Sequence, residues 1–244
     1  MNNELPLVSV LIPFYNCQYV NQAINSALRQ TYKNIEIIIV NDGSYLYKDL
    51  VTPFLSNIIY LEQKNKGVAS ALNKGIKKAR GEYLAWLSSD DIFNENKIQL
   101  QLNFMIEKNS FFSFTNFNII DSKNHIIQHN VGINFKTPQE VLQKLKYFNP
   151  INGCTVMMSR KIIEAVGFFD EKLKYAQDYD YWIRVSNKFP LHYFHYTLTN
   201  YRVHDSMGSI RHNKEQMKEF YEVRSNFRKN TRKFLSENKG EKRV

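Results

Sequence analysis

Four short apolar runs, over residues 8–14, 35–40, 58–61 and 82–87, are parted by segments of helical period. This alternation constrains the fold more than any other feature of the chain. Residues 18–30 set Val20, Ala23, Ala27 and Leu28 on one helical face. A short helix is expected over 48–55. Residues 68–80 carry Val68, Ala69, Leu72, Ile76 and Ala79 on one stripe, with Gly81 as the stop. Strands separated by helices predict an α/β fold with a Rossmann-like, mostly parallel central sheet flanked by helices. Such sheets hold ligands in the crevice at the carboxyl ends of their strands.

The second half is less regular. Asn94 is placed to cap a helix running to Ile106. Strands are expected over 111–115, 117–120 and 125–128. Thr137-Pro138-Gln139-Glu140 is a capping box with proline at the first helical position. A strand over 155–159, a helix over 160–166 closed by Gly167, a helix over 178–188 and strands over 191–196 and 199–203 follow. A basic helix over 213–235 ends the pattern. No boundary appears before about residue 210, so residues 1–210 read as one domain and 211–244 as a basic helical tail.

Three polar clusters fall where strands end. They are Pro13-Phe14-Tyr15-Asn16, Asn41-Asp42-Gly43-Ser44 and Ser88-Ser89-Asp90-Asp91. An aromatic ring beside an aspartate suits a nucleoside: the ring stacks on the base, and the carboxylate accepts from a base N–H or a ribose hydroxyl. Adjacent carboxylates suit Mg²⁺ or Mn²⁺ carrying phosphate oxygens. No G-x-G-x-x-G follows the first strand and no P-loop is present, so diphosphate charge must be met by a metal and basic side chains. Asp178 opens a helix whose dipole is expected to keep it ionised, as a base for a sugar hydroxyl. His204 suits a metal or a phosphate. Trp86, Tyr179, Tyr181 and Trp182 suggest a sugar platform.

Composition narrows the classes further. With 43% hydrophobic residues and only 9 glycines in 244, the chain is neither a disordered polymer nor a glycine-rich assembly. Cys17 and Cys154 form no CxxC and fit a reducing compartment. No basic-then-apolar leader and no apolar run of about 20 residues is evident. A cytoplasmic protein, or one bound peripherally at the inner face of a membrane, is expected. The net charge is +10, and from Arg211 onward eleven Lys/Arg face five Asp/Glu. That excess suits anionic lipid, nucleic acid or phosphorylated substrates, or a solvated helix face. No nucleic-acid recognition motif accompanies it. Phe220, Val223, Phe227 and Phe234 recur at helical spacing among these charges. They suit docking on an anionic membrane, packing back on the domain, or pairing with another subunit.

These residues together resemble the family 2 glycosyltransferases, enzymes of the GT-A fold that use nucleotide-diphosphate sugars. Val8–Phe14 with Tyr15-Asn16 is similar to the family's first strand and turn. Ser26-Ala27-Leu28-Arg29-Gln30-Thr31-Tyr32 and the stretch from Glu36 to Ser44 match two further motifs. Asn65-Lys66-Gly67-Val68-Ala69 with Ala71, Asn73, Gly75, Ala79 and Gly81 matches another. The resemblance continues through Gly167-Phe168-Phe169-Asp170-Glu171 and Gln177 to Arg184, and ends near Tyr201, Arg202, His204, Met207 and Ser209. It implies a nucleotide-binding half over 1–106 and an acceptor-side half over 107–210.

The resemblance also implies roles. Asp42 reads base and ribose beside Pro13, Tyr15 and Asn16, and Lys64, Asn73, Ser89 and Asp90 complete the donor-binding set. Asp90, Asp91 and His204 hold the divalent cation. Asp178 is the base of an inverting displacement from a nucleotide-diphosphate sugar, a UDP-sugar by expectation, onto a saccharide or lipid-linked glycan in surface polysaccharide synthesis. Three departures stand out. Ser88 replaces the first acid of the family's "D-S-D-D", Gln177 replaces the glutamate before the base, and Tyr45-Leu46 replace the usual Thr-Asp. They leave open a nucleotide-sugar-binding protein with weakened catalysis.

Overall fold

A computed structural model describes residues 5–205, residue 207 and residues 213–240, with side chains in the last stretch described for 214–229. The expected boundary at 210/211 and the Ser209 match therefore lie outside the described residues, as does the side chain of Phe234.

Apart from the short strand Ile92–Phe93, which the sequence pattern does not indicate, the elements follow in the predicted order. They are β1 (Val8–Phe14), α1 (Val20–Leu28), β2 (Ile35–Asp42), β3 (Ile59–Gln63), α2 (Val68–Lys78) and β4 (Tyr83–Trp86). Then come β5 (Ile92–Phe93), α3 (Lys97–Glu107), β6 (Phe112–Ile120), β7 (Ile126–Val131), α4 (Pro138–Leu145) and β8 (Met157–Ser159). The chain continues with α5 (Arg160–Val166), α6 (Gln177–Ser186), β9 (His192–Arg202) and α7 (Asn213–Gly240). Residues 48–54 form two 3₁₀ turns in place of the expected short helix.

Among the described residues the strands join one sheet in the order β3-β2-β1-β4-β8-β6-β9-β5, with β7 paired to β6. The first four are parallel, as the alternation predicts. Beyond β4 the sheet is mixed, because β8 enters antiparallel and β6 pairs parallel with β9. Register decides where the site lies. Phe14 sits opposite Asn41 and Leu11 opposite Trp86, so the polar clusters after β1, β2 and β4 meet at one edge.

Both faces of the parallel half are covered, which is why its strands are apolar at almost every position. Leu11, Ile38, Val40 and Leu84 face α2 and the helices α4–α6. Val10, Ile12, Ile37, Ile39 and Ala85 face α1 and α3. Thr137 caps α4 through Glu140 N–H, and Gly167 closes α5 with φ 85°. α7 lies on the α2–α6 side, where Val223 and Phe227 are buried and Phe220 packs beside them. Of the three uses expected for that apolar stripe, these side chains show packing back on the body. No described helix is long and apolar enough to cross a membrane.

Candidate active site

The carboxyl ends of β1, β2 and β4 open on a crevice of about 730 Å³. Pro13, Tyr15, Asn16, Asp42, Ser89 and Asp90 all line it, together with His204. Tyr15 is 48% exposed and lines the mouth. Asn16 takes a left-handed backbone (φ 46°), which asparagine tolerates better than most residues. Its carboxamide oxygen accepts from Tyr45 N–H at 2.9 Å and Leu46 N–H at 3.0 Å, and its own N–H donates to Ser44 Oγ. Asn16 thus ties the β1 turn to the β2 turn.

Asp42 is nearly buried. Its carboxylate accepts from Gln63 Nε2 at 2.8 Å, Lys66 N–H at 2.9 Å and Gly67 N–H at 2.8 Å. Gly67 reaches that oxygen with φ 90°, a conformation L side chains rarely adopt. A carboxylate offers about four lone-pair positions, so three donors fix its orientation and leave about one for a ligand N–H or hydroxyl.

Asp90 and His204 stand together, with Oδ2 and Nε2 3.3 Å apart. Asp91 stands apart from them. It is fully buried, and its Oδ1 accepts from Arg202 N–H at 2.9 Å. Burial, followed by the neighbouring Asp90 charge, pushes the Asp91 carboxyl well above the usual range. Consecutive residues in a turn point different ways, and here only the first points into the crevice. Among the described residues no three or more His, Cys, Asp or Glu gather around one point. A hard carboxylate oxygen beside an imidazole nitrogen nevertheless fits a cation that takes its remaining ligands from diphosphate and water.

Two expected donor-binding residues lie elsewhere. Lys64 lines a separate shallow cavity of about 540 Å³ with Gly43, Lys48 and Gln63. Asn73 is buried and does structural work. It donates to Phe169 O and Glu171 Oε1, both at 2.9 Å, and accepts from Phe169 N–H at 3.0 Å. It thereby anchors the segment leading to α6.

Asp178 occupies the first turn of α6 and is partly buried, while its neighbour Gln177 lines the crevice. Asn149 Nδ2 donates to Asp178 Oδ2 at 2.8 Å, and Tyr179 N–H donates to Oδ1 at 2.7 Å. Burial raises the carboxyl to about 6 against these hydrogen bonds. The carboxyl therefore stays ionised at neutral pH, but burial brings its titration much closer to neutrality than in an exposed aspartate. The aromatic platform is corrected. Tyr179, Tyr181 and Trp182 are buried in the core, because α6 is covered by sheet and helices together. Only Trp86 of that set lines the crevice.

Arg202, part of the last motif in the sequence but without a role there, is built into the site. Its guanidinium is fully buried and donates to Asp90 O at 2.7 Å, Asp121 O at 3.0 Å and Gln22 Oε1 at 2.9 Å. It also lies 4.2 Å from the centre of the Tyr19 ring. Its place two residues before His204 was the available signal. Ser88, standing where the family has an acid, accepts a hydrogen bond from Cys154 Sγ at 3.0 Å.

The model of the family "Glycosyl transferase family 2" matches residues 9–167, well over half of the chain. The chain belongs to this family. It is 38% identical over 217 residues to an uncharacterized glycosyltransferase of Rickettsia typhi, covering 84% of this chain and 66% of that protein. It spans only 36% of a similar protein from Rickettsia conorii at 39% identity. It is 34% identical to the Escherichia coli UDP-Glc:alpha-D-GlcNAc-diphosphoundecaprenol beta-1,3-glucosyltransferase WfaP, covering 86% of this chain and 82% of WfaP. Among solved structures, Staphylococcus aureus TarS superposes with a TM-score of 0.68 at 18% identity, over 88% of this chain and 38% of TarS. A shorter TarS form in complex with UDP gives 0.67 at 19% identity, over 88% of this chain and 62% of that one. These likenesses show a shared GT-A fold.

Proposed function

We propose that this chain is an inverting glycosyltransferase that moves a sugar from a UDP-sugar to a hydroxyl of a saccharide or lipid-linked glycan. One observation carries the reading. A single crevice unites Asp42, with its remaining acceptor position, and the Asp90–His204 pair. That is a nucleoside reader and a diphosphate-and-cation end in one hollow. WfaP, whose name specifies a UDP-glucose donor and a diphosphoundecaprenol-linked acceptor, supports the donor and acceptor classes. TarS, solved with UDP and with UDP-GlcNAc, supports the same donor class on this fold.

In this reading Tyr15 stacks on the base and Asp42 accepts from it or from the ribose. Asp90 and His204 would hold Mg²⁺ or Mn²⁺, and such a cation supplies Lewis-acid stabilisation of charge on the leaving diphosphate. Asp178 takes the proton of the acceptor hydroxyl at its carboxylate, and Asn149 keeps that carboxylate aimed. The protein works in the cytoplasm and meets a membrane-borne acceptor from the inner face.

A thermal-shift series with UDP, GDP and CDP, each with Mn²⁺, Mg²⁺ or EDTA, tests this, because a ligand that binds only the folded state raises the melting temperature. UDP with metal should stabilise the protein. Asp90→Ala should abolish the metal-dependent part of the shift, and Asp42→Ala the whole of it. Absence of any shift in the unaltered protein with every nucleotide and metal would overturn the proposal.

A further inference from the structure

The charge-rich helix α7 touches the body beside the base. A helix begins with N–H groups that have no intrahelical partner, and a side chain usually caps some of them. α6 starts without a side-chain cap at Ala176. Glu219, 43 residues further along the chain, reaches this segment. Its Oε1 accepts from Lys174 N–H at 3.0 Å. Its Oε2 accepts from Tyr175 N–H at 2.7 Å and Ala176 N–H at 2.8 Å. The Ala176 amide is that of the N-cap and the other two lead into it, and an anion held there is favoured by charge-assisted hydrogen bonding and by the helix dipole.

Two neighbours on α7 extend the contact. The Phe220 ring stacks on Tyr179, the residue after Asp178, with centroids 5.2 Å apart and planes 25° apart. Arg224 Nη1 donates to Tyr147 O at 3.1 Å, two residues before the Asn149 that holds Asp178. α7 therefore grips the residues before Asp178, the residue after it, and the loop that supplies its hydrogen-bond donor.

We infer that Glu219 is a positioning residue for Asp178, so that α7 belongs to the catalytic apparatus through this contact. The inference rests on the proposed role of Asp178 as the base. Loss of the Glu219 carboxylate frees the three amides, lets the first turn of α6 move, and spoils the aim of Asp178, while Asp42 and the Asp90–His204 pair, carried by other elements, keep the nucleotide end of the crevice in place. Displacements of about 1 Å at a reacting group can cost about 10²-fold in rate.

The test compares Glu219→Ala and the milder Glu219→Gln in the full chain with Asp178→Asn. The readouts are UDP release from UDP-glucose, UDP affinity by calorimetry, and the titration of the Asp178 carboxyl carbon by NMR. Glu219→Ala should lower kcat by about 10–10²-fold, with UDP affinity within about twofold, and should move the Asp178 midpoint down from about 6 as the carboxyl becomes better solvated. Glu219→Gln should fall between. An unchanged Asp178 midpoint in a folded Glu219 variant would overturn the inference, as would UDP affinity lost in step with kcat. A failure of the base assignment looks different: Asp178→Asn would retain full turnover, while the Glu219 variants would still shift the Asp178 titration.

Discussion

At Asp178 two opposed influences act on one proton. Burial raises the carboxyl, while the Asn149 amide and the Tyr179 N–H favour the ionised form, and burial wins. In the proposed role as base Asp178 acts in its ionised form, so turnover should fall as pH drops through about 6. Asp178→Asn should remove that limb and lower kcat by about 10²–10⁴-fold with UDP binding retained, as a pH–rate series checks. The stability sign is the reverse of the usual carboxylate case. The native carboxyl binds protons more tightly than the unfolded one, so this group's contribution is present at low pH and is lost as pH rises through about 6. Asp42 and Asp90 were legible in the sequence because each follows an apolar run at a turn, a β-branched one before Asp42 and a Leu- and Trp-bearing one before Asp90. The inward turn of Asp91 was not, since adjacent residues in a loop carry no fixed period. Lys97 gave no signal either. Its ammonium is fully buried, where desolvation lowers it to about 7, and it donates to Gln101 Oε1 and Thr155 O.

Among the elements, the turn at Gly153 has little room to change. A Cβ there would stand 2.3 Å from the Trp86 ring, and Trp86 lines the crevice. Gly153→Ala must displace the indole. Overpacking of this kind costs about 1–3 kcal/mol. The variant should melt lower and bind UDP-glucose more weakly, with altered tryptophan fluorescence. An unchanged spectrum and affinity would mean that the ring and the turn yield without disturbing the crevice. The strands of the first half were readable because each apolar run stops at a polar turn. β6 and β9 were each read as two strands. Their ladder carries register shifts between Thr115 and Phe117, and the polar residues there interrupt the pattern without ending the strand. The aromatic run in α6 was read as a platform because periodicity reports that a face is apolar and not what covers it.

For the whole molecule, α7 closes the core that the domain leaves open. Val223 and Phe227 are 8% and 7% exposed, and burying such side chains is worth about 1.5–3 kcal/mol each. A chain ending at residue 212 exposes the surface they cover and loses the Glu219 contacts. It should melt several degrees lower and bind a hydrophobic dye, and calorimetry with dye fluorescence checks both. Composition showed that this segment is basic and apolar-striped. Which of three surfaces the stripe would meet depended on the shape of the domain, which no local pattern encodes.

Arg202 carries a consequence for how the protein is made. Its guanidinium joins Gln22, Asp90 and Asp121, three points scattered over a hundred residues of chain. A ribosome delivers those three well before it delivers the arginine. The loop bearing Asp90 therefore lacks this anchor until residue 202 has left the exit tunnel, and that corner of the crevice is completed only after the strands around it have been made.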